Sequence, residues 1–219
     1  SDLLGSRTIE NTYYYGIHTL RALENFPITH KTVGDYPEFV HALAVLKQSA
    51  ATVNGQLGLL QPGTAKAIIS ACERISRGEL HDQFAVGTIQ GGAGTSTNMN
   101  ANEVIANAAL EHLGEPKGHY GVVDPHNDVN CSQSTNDVYP SAIKIALLLM
   151  LDDLRSAMQR TAEAFARKEV EFAEVLKLGR AQLQDAVPMT LGQEFGTYAT
   201  MVREDIKVLD AARELLKEL

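Results

Sequence analysis

CSQSTNDVYPSAIKIALLLMLDDLRSAMQRTAEAF, residues 131 to 165, changes character halfway. From Ser132 to Asp137 every side chain carries a hydroxyl, an amide or a carboxylate. From Ile143 onward, Leu147, Met150, Leu154, Met158 and Phe165 return at steps of three, four or seven, the spacing of one helix face. A single side-chain oxygen is enough to cap a helix start, and this stretch offers several. Read alone it is a cap-and-turn segment; the other reading is a cluster of donors for a ligand.

The apolar stripe decides the architecture. A second one runs through Leu191, Phe195, Tyr198, Val202, Leu209 and Leu216. Helices of this length, striped near a heptad period, belong in a bundle. Two of them cannot cover both stripes, so further chain, other subunits, or both must supply partners. Upstream, Phe39, Val40, Leu43, Leu46 and Lys47 predict a helix from Pro37, and Pro62 starts another that stops near Gly78. Asn100 and Glu103 resemble a capping box that opens a helix through Val104 and Leu113 to Gly114. The first 36 residues read as an irregular lead-in, and 115 to 136 as a polar loop. The expected fold is mainly all-α: a small N-terminal helical domain, 1–137, then the first part of a central helical bundle, 138–219.

Composition narrows the function classes. Of 219 residues 44% are hydrophobic and 21% charged, which is ordinary for a soluble globular chain. The net charge of −8, with no basic run, speaks against nucleic acid or an anionic membrane surface as partner. The longest apolar run, Ile143 to Leu151, is broken by Lys144 and too short to span a bilayer, and no signal peptide opens the chain. Cys72 and Cys131 have no metal-ligand spacing, so no metal site is expected, and a reduced, cytoplasmic setting fits. The chain opens on Ser1 without Met and closes on a helix-like stretch, Glu214 to Leu219, so it reads as cut from something longer.

Three stretches exceed what packing needs: Gly91-Gly92-Ala93-Gly94-Thr95-Ser96-Thr97-Asn98-Met99-Asn100, Ser132 to Asp137, and Gly179-Arg180-Ala181-Gln182-Leu183-Gln184-Asp185-Ala186-Val187-Pro188. Each is expected at a helix end, where free N–H groups and the positive dipole end suit carboxylate oxygens. In this order, and together with Asp2-Leu3-Leu4-Gly5 and Tyr14-Tyr15-Gly16-Ile17-His18-Thr19-Leu20-Arg21-Ala22, they resemble the aspartase/fumarase superfamily. GGAGTSTNMNANEV and SQSTND are similar to its aspartate ammonia-lyase branch rather than to its fumarases.

That resemblance implies a homotetramer built on long helices, with each active site shared by three subunits. It implies reversible elimination of ammonia from L-aspartate to fumarate through a doubly charged aci-carboxylate, with no cofactor. Thr95, Ser134 and Thr135 would hold the carboxylate that takes up charge, and Asn136 would meet the amino-group end. Gln182 would reach in from another subunit. The serine base is implied on a downstream Gly-Ser-Ser loop, and no Gly-Ser-Ser occurs in this sequence. Ala181 stands where the pattern has Thr, and Asp124 to Asn130 reorder its usual Pro-Asn-Asp-His. Other roles stay open: Ser96 and Asn98 as turn and cap residues or substrate contacts, Arg21 as a carboxylate ligand or an ion-pair partner, and His126 as a surface histidine, proton shuttle or second anion site. Fumarate hydratase, another fumarate-releasing lyase and a non-catalytic helical scaffold are the rival readings.

Overall fold

A computed structural model describes residues 2–218. Six α-helices and one two-stranded hairpin are found among them: α1 Ile17–Asn25, α2 Pro37–Gln56, α3 Pro62–Ser76, α4 Thr95–His112, α5 Thr135–Glu171, β1 Leu176–Ala181, β2 Gln184–Thr190 and α6 Leu191–Leu215. The chain clusters into two compact units, Ser1–Ala146 and Leu147–Leu219.

In the first unit α2 and α3 pack side by side, α3 packs on α4, and α4 on α1. Pro62 occupies the first turn of α3, where a missing N–H costs nothing. Leu43, Ile68, Ile75, Ile105 and Leu110 are fully buried where these helices meet. Helix α4 lies in the middle. Every residue from Ala101 to Leu110 is buried, so it has no solvent face, and small alanines let its neighbours approach. Its buried polar residues therefore need partners inside the protein. Asn107 donates from Nδ2 to the Tyr14 carbonyl at 2.7 Å and accepts from the Gly118 N–H at 2.8 Å.

Glu103 accounts for an element the sequence reading missed. Residues 1 to 36 are not irregular throughout, because α1 lies within them. Its first turn has no side-chain cap of its own. The Glu103 carboxylate, 84 to 87 positions away, accepts instead from the N–H groups of Gly16, His18 and Thr19 at 2.8, 2.8 and 3.0 Å, and from the Thr19 hydroxyl at 2.7 Å. A carboxylate at a helix N-terminus satisfies orphan donors and matches the dipole. The approach is so close that a Cβ on Gly16 would stand 2.7 Å from a Glu103 oxygen.

The Asn100–Glu103 capping box is also corrected. Helix α4 starts at Thr95, five residues earlier, after Gly94 at φ +85°, and both Asn100 and Glu103 are interior. Within the loop 115 to 136, Pro125–Val129 form a short π turn capped by Asp124, whose carboxylate accepts from the N–H groups of His126 and Asn127.

The second unit holds the remainder of α5, the hairpin and α6. Phe165 and Phe195 (ring centroids 6.0 Å apart), Phe172 and Phe195 (5.6 Å) and Phe165 and Tyr198 (5.6 Å) join α5 to α6, with Arg155–Asp210 at 2.7 Å and Arg213–Asp152 at 2.6 Å further along. A capping box opens α6: Thr190 Oγ1 accepts from the Gln193 N–H and Gln193 Oε1 from the Thr190 N–H. Outward-facing Leu147, Met150, Leu154 and Met201 are exposed within this chain. The third polar stretch is not a helix end. It is an antiparallel hairpin, β1 paired with β2, turning at Gln182–Leu183.

Candidate active site at two helix starts

The glycine loop and the serine-threonine stretch meet in the first unit. Gly94 makes the meeting possible. It sits in the left-handed region, and a Cβ there would lie 2.3 Å from the Tyr139 ring of α5. Tyr139 in turn packs edge-on against Phe39 of α2. The start of α4 thereby meets the start of α5, Gly94 at Tyr139 and Asn98 at Thr135, with Thr95 and Ser96 on the first turn of α4 and Asn136 on that of α5.

Ser134 resolves the choice left open by its sequence. It does cap α5: Oγ accepts from the Asn136 N–H at 3.2 Å, and Asp137 accepts back from the Ser134 N–H at 3.2 Å. The pair is a reciprocal cap like a capping box, with Oγ accepting from the second N–H of the helix rather than the third. Because Oγ accepts in this contact, its own proton stays available to donate. The cap and donor readings are compatible. Ser134 and Asn136 are exposed and Thr135 is half-buried, so the row faces outward from the unit.

Thr135 is held from behind. Asn98, buried one turn into α4, donates from Nδ2 to Thr135 Oγ1 at 3.0 Å and to Asn130 Oδ1 at 3.1 Å. Asn102, the next turn along, donates to the same Asn130 oxygen at 3.2 Å, and Lys47 Nζ of α2 donates to it at 2.9 Å. Asn130 closes the loop by donating to the Gln133 carbonyl at 2.9 Å. Asn98 is thus neither a helix cap nor a surface turn residue. Lys47, on the same helix face as Leu43, is wholly buried, and burial brings its ammonium pKa down to about 7. Lys47, Asn102 and Asn130 were overlooked in the sequence. The available signal was a cation inside an apolar stripe, since lysine is almost never fully buried without a partner.

The other candidates lie elsewhere. Arg21 forks onto the Asp2 carboxylate, Nε to Oδ2 at 2.5 Å and Nη2 to Oδ1 at 2.7 Å, holding that carboxyl down to about 2. His126 is exposed, in the π turn. Gln182 belongs to the second unit, exposed at the hairpin turn, where it and Leu183 have φ of +51° and +62°. Positive φ at both central positions is the I′ hairpin turn, which Asn and Gly occupy more easily. Beneath it Arg180 pairs with Asp185 at 2.5 Å, and Ala181 offers no hydroxyl.

No group of three or more His, Cys, Asp or Glu side chains able to hold a metal ion occurs among the described residues. No described helix is long and apolar enough to cross a membrane.

Comparison with known proteins bears on the family and the fold. Residues 5–219 match the Lyase family. The chain is 56% identical over 218 residues to the aspartate ammonia-lyase of Pseudomonas aeruginosa, and 48% identical over 219 residues to that of Escherichia coli. All of this chain aligns in both cases, against 45% and 46% of those proteins, so it spans about half their length. Among solved structures, fumarate lyase:delta crystallin from Brucella melitensis superposes with a TM-score of 0.95 at 52% identity, covering all of this chain and 49% of that one. A class II fumarase from Schistosoma mansoni gives 0.87 at 32% identity, covering 98% and 45%. The mainly helical, aspartase/fumarase-like architecture expected from the motifs is the one found. With a family match over nearly all its residues and relatives of the same fold, the chain belongs to the Lyase family.

Proposed function

We propose that the protein carrying this chain is a carbon–nitrogen lyase that reversibly eliminates ammonia from L-aspartate to give fumarate. The observation that carries the reading is the meeting of the α4 and α5 starts. There Thr135 Oγ1 accepts a hydrogen bond from Asn98, so its proton is directed away from the protein interior. The 48–56% identity to aspartate ammonia-lyases supports aspartate as the substrate.

The chemistry asks for such a surface. Removing the proton beside a carboxylate puts a second negative charge on that carboxylate. Donors fixed in advance lower this barrier, because they need not reorganise as charge develops. Thr95, Ser134 and Thr135 supply hydroxyls to the charging carboxylate, and the N-terminal ends of α4 and α5 add positive potential. Asn136 meets the amino-group end. Gln182 is contributed by another subunit of a homotetramer, in which 1–137 form the N-terminal domain and 138–219 begin the central bundle. The base is a serine on a Gly-Ser-Ser loop outside these 219 residues, so the chain by itself is catalytically silent. Ser96 adds a further contact from α4, while Arg21, engaged by Asp2, serves as an ion-pair partner. His126 stays solvated at the surface. The setting is the cytoplasm, and the reaction uses no cofactor.

Fumarate absorbance, followed with L-aspartate and with L-malate, tests the assignment in the full-length protein. Release from aspartate supports it. Release from malate alone transfers the protein to the fumarases, and release from neither removes the enzyme reading.

A further inference from the structure

A buried lysine that points at an amide, with no carboxylate partner among the described residues, calls for a reason. Taking a charge out of water is costly unless it is paired or discharged, and a methionine would fill the same space. What Lys47 has that methionine lacks is polarity. An ammonium only donates, whereas Asn98, Asn102 and Asn130 can each present either an oxygen or an NH2 group to a neighbour. Asn130 must therefore turn its oxygen toward Lys47, and that oxygen receives three donors: Lys47 Nζ at 2.9 Å, Asn98 Nδ2 at 3.1 Å and Asn102 Nδ2 at 3.2 Å. Asn98, with its NH2 committed to that side, donates its other proton to Thr135 Oγ1. The direction of every bond follows from the one donor-only group. The neutral amine, favoured by burial above about pH 7, keeps two N–H donors but gains an acceptor lone pair, so the donor-only constraint belongs to the ammonium.

The orientation has a cost that shows. The Oδ1 atoms of Asn98 and Asn102 are buried without a hydrogen-bond partner. A buried acceptor left unmet is unfavourable by about 1–3 kcal/mol. Two amides are thus held with their oxygens unmatched so that their NH2 groups converge on Asn130 and Thr135.

We propose that Lys47 is a positioning residue for the elimination: through Asn130 and Asn98 it forces the Thr135 hydroxyl to accept inside the protein and so to donate its proton toward the substrate carboxylate. This deepens the lyase reading and rests on it for the identity of the substrate. With Lys47 replaced by methionine, the amides are free to turn, and Thr135 can spend its proton on an Asn98 oxygen instead.

The test is a double-mutant cycle in the full-length protein, run with whichever of L-aspartate and L-malate releases fumarate. Lys47→Met is expected to lower kcat/KM about tenfold or more, chiefly in kcat, and to lower it less than about threefold when Thr135 is already Val, the coupling expected of residues in one hydrogen-bond network. A merely structural role would lower activity equally in both backgrounds, and that additivity would overturn the proposal. Should Lys47→Met fail to fold, Asn98→Ala takes its place, with the same non-additivity expected and the same additivity fatal. A crystal structure of the Lys47→Met protein tests the relay independently of turnover. Read with the amide N and O told apart by neutron diffraction, an Asn98 turned so that Oδ1 accepts from the Thr135 hydroxyl supports the relay, and Nδ2 still donating to Thr135 Oγ1 as at present overturns it. If neither substrate turns over in the unmodified protein, it is the lyase reading that has failed, and the crystal structure alone decides the relay.

Discussion

The Asn130 cluster and the Gln182 hairpin both carry residues expected to bind substrate, and they are built in opposite ways. In the cluster, Lys47 of α2 and Asn98 and Asn102 of α4 are buried and hydrogen-bonded to the half-buried Asn130, while the row from Ser134 to Asn136 lies toward solvent. In the hairpin, Gln182 and Leu183 stand exposed on two consecutive left-handed residues, and Leu183 is 98% exposed. A donor that must keep its direction while charge develops is locked from within. A donor meant for a site elsewhere needs only a short, well-registered arm. Strain concentrated in exposed non-glycine residues fits that second purpose.

The largest effect should come from the locked side. Thr135→Val removes one hydroxyl while keeping shape, and kcat/KM for aspartate in the full-length protein should fall about 10²- to 10³-fold. A loss below tenfold would mean the cluster does not aim a donor at all. Stability is touched more by Glu103. Replacing it with Gln turns one acceptor into an NH2 facing N–H groups that also donate, and denaturant unfolding should show a loss of about 2–3 kcal/mol. Unchanged stability would show that α1 holds without its distant cap.

The pH dependence separates the two regions further, since only the first has deeply buried titrating groups. Lys47 is lowered to about 7, so between pH 7 and 10.5 the unfolded chain binds more protons and stability rises with pH. Cys72 beside it is raised by burial to about 12, so from about pH 9 upward the folded state holds the extra proton and stability falls. Melting temperature should climb from pH 7 to 9 and then flatten, and Lys47→Met should abolish the climb. A climb that survives that substitution would assign it to another group.

On the hairpin, Ala181→Thr restores a hydroxyl beside Gln182 and should raise kcat/KM by about tenfold, the worth of one modest hydrogen bond. No gain would show that this site makes its contacts without that hydroxyl. Leu183→Gly, measured by thermal unfolding, should be the smallest effect. Relief of the left-handed turn offsets the flexibility gained by the unfolded chain, leaving a stabilisation of about 0.5–1 kcal/mol. A clear loss would mean the leucine side chain, not the turn, matters there.

The same contrast explains what could be read in advance. Helices α2, α3, α5 and α6 were legible because each has an apolar face repeating at the helical period, as in Ile143 to Phe165. Helix α1 was not, because its cap is Glu103, far along the chain. The start of α4 was misplaced because Gly94 offers no capping side chain, and because a helix buried all round has no polar face to mark its period. The hairpin escaped notice because both strands are mostly exposed, so no buried face marks a period of two, and Pro188 interrupts the second.

Local chemistry is written in neighbouring residues, and so the sequence by itself determined the helical class, the long striped helices and the run of hydroxyls and amides Ser134, Thr135, Asn136 at a helix start. Which way those donors point is not a local property. Thr135 takes its direction from Asn98, Asn98 from Asn130, and Asn130 from Lys47, residues 37 to 88 positions from Thr135 or only five, on three separate segments. Only the packing of α2 against α3, of α3 against α4, and of Tyr139 on Gly94 brings them within hydrogen-bond reach. A hydroxyl can accept or donate with equal ease, and tertiary structure decides which by burying a donor-only group behind it.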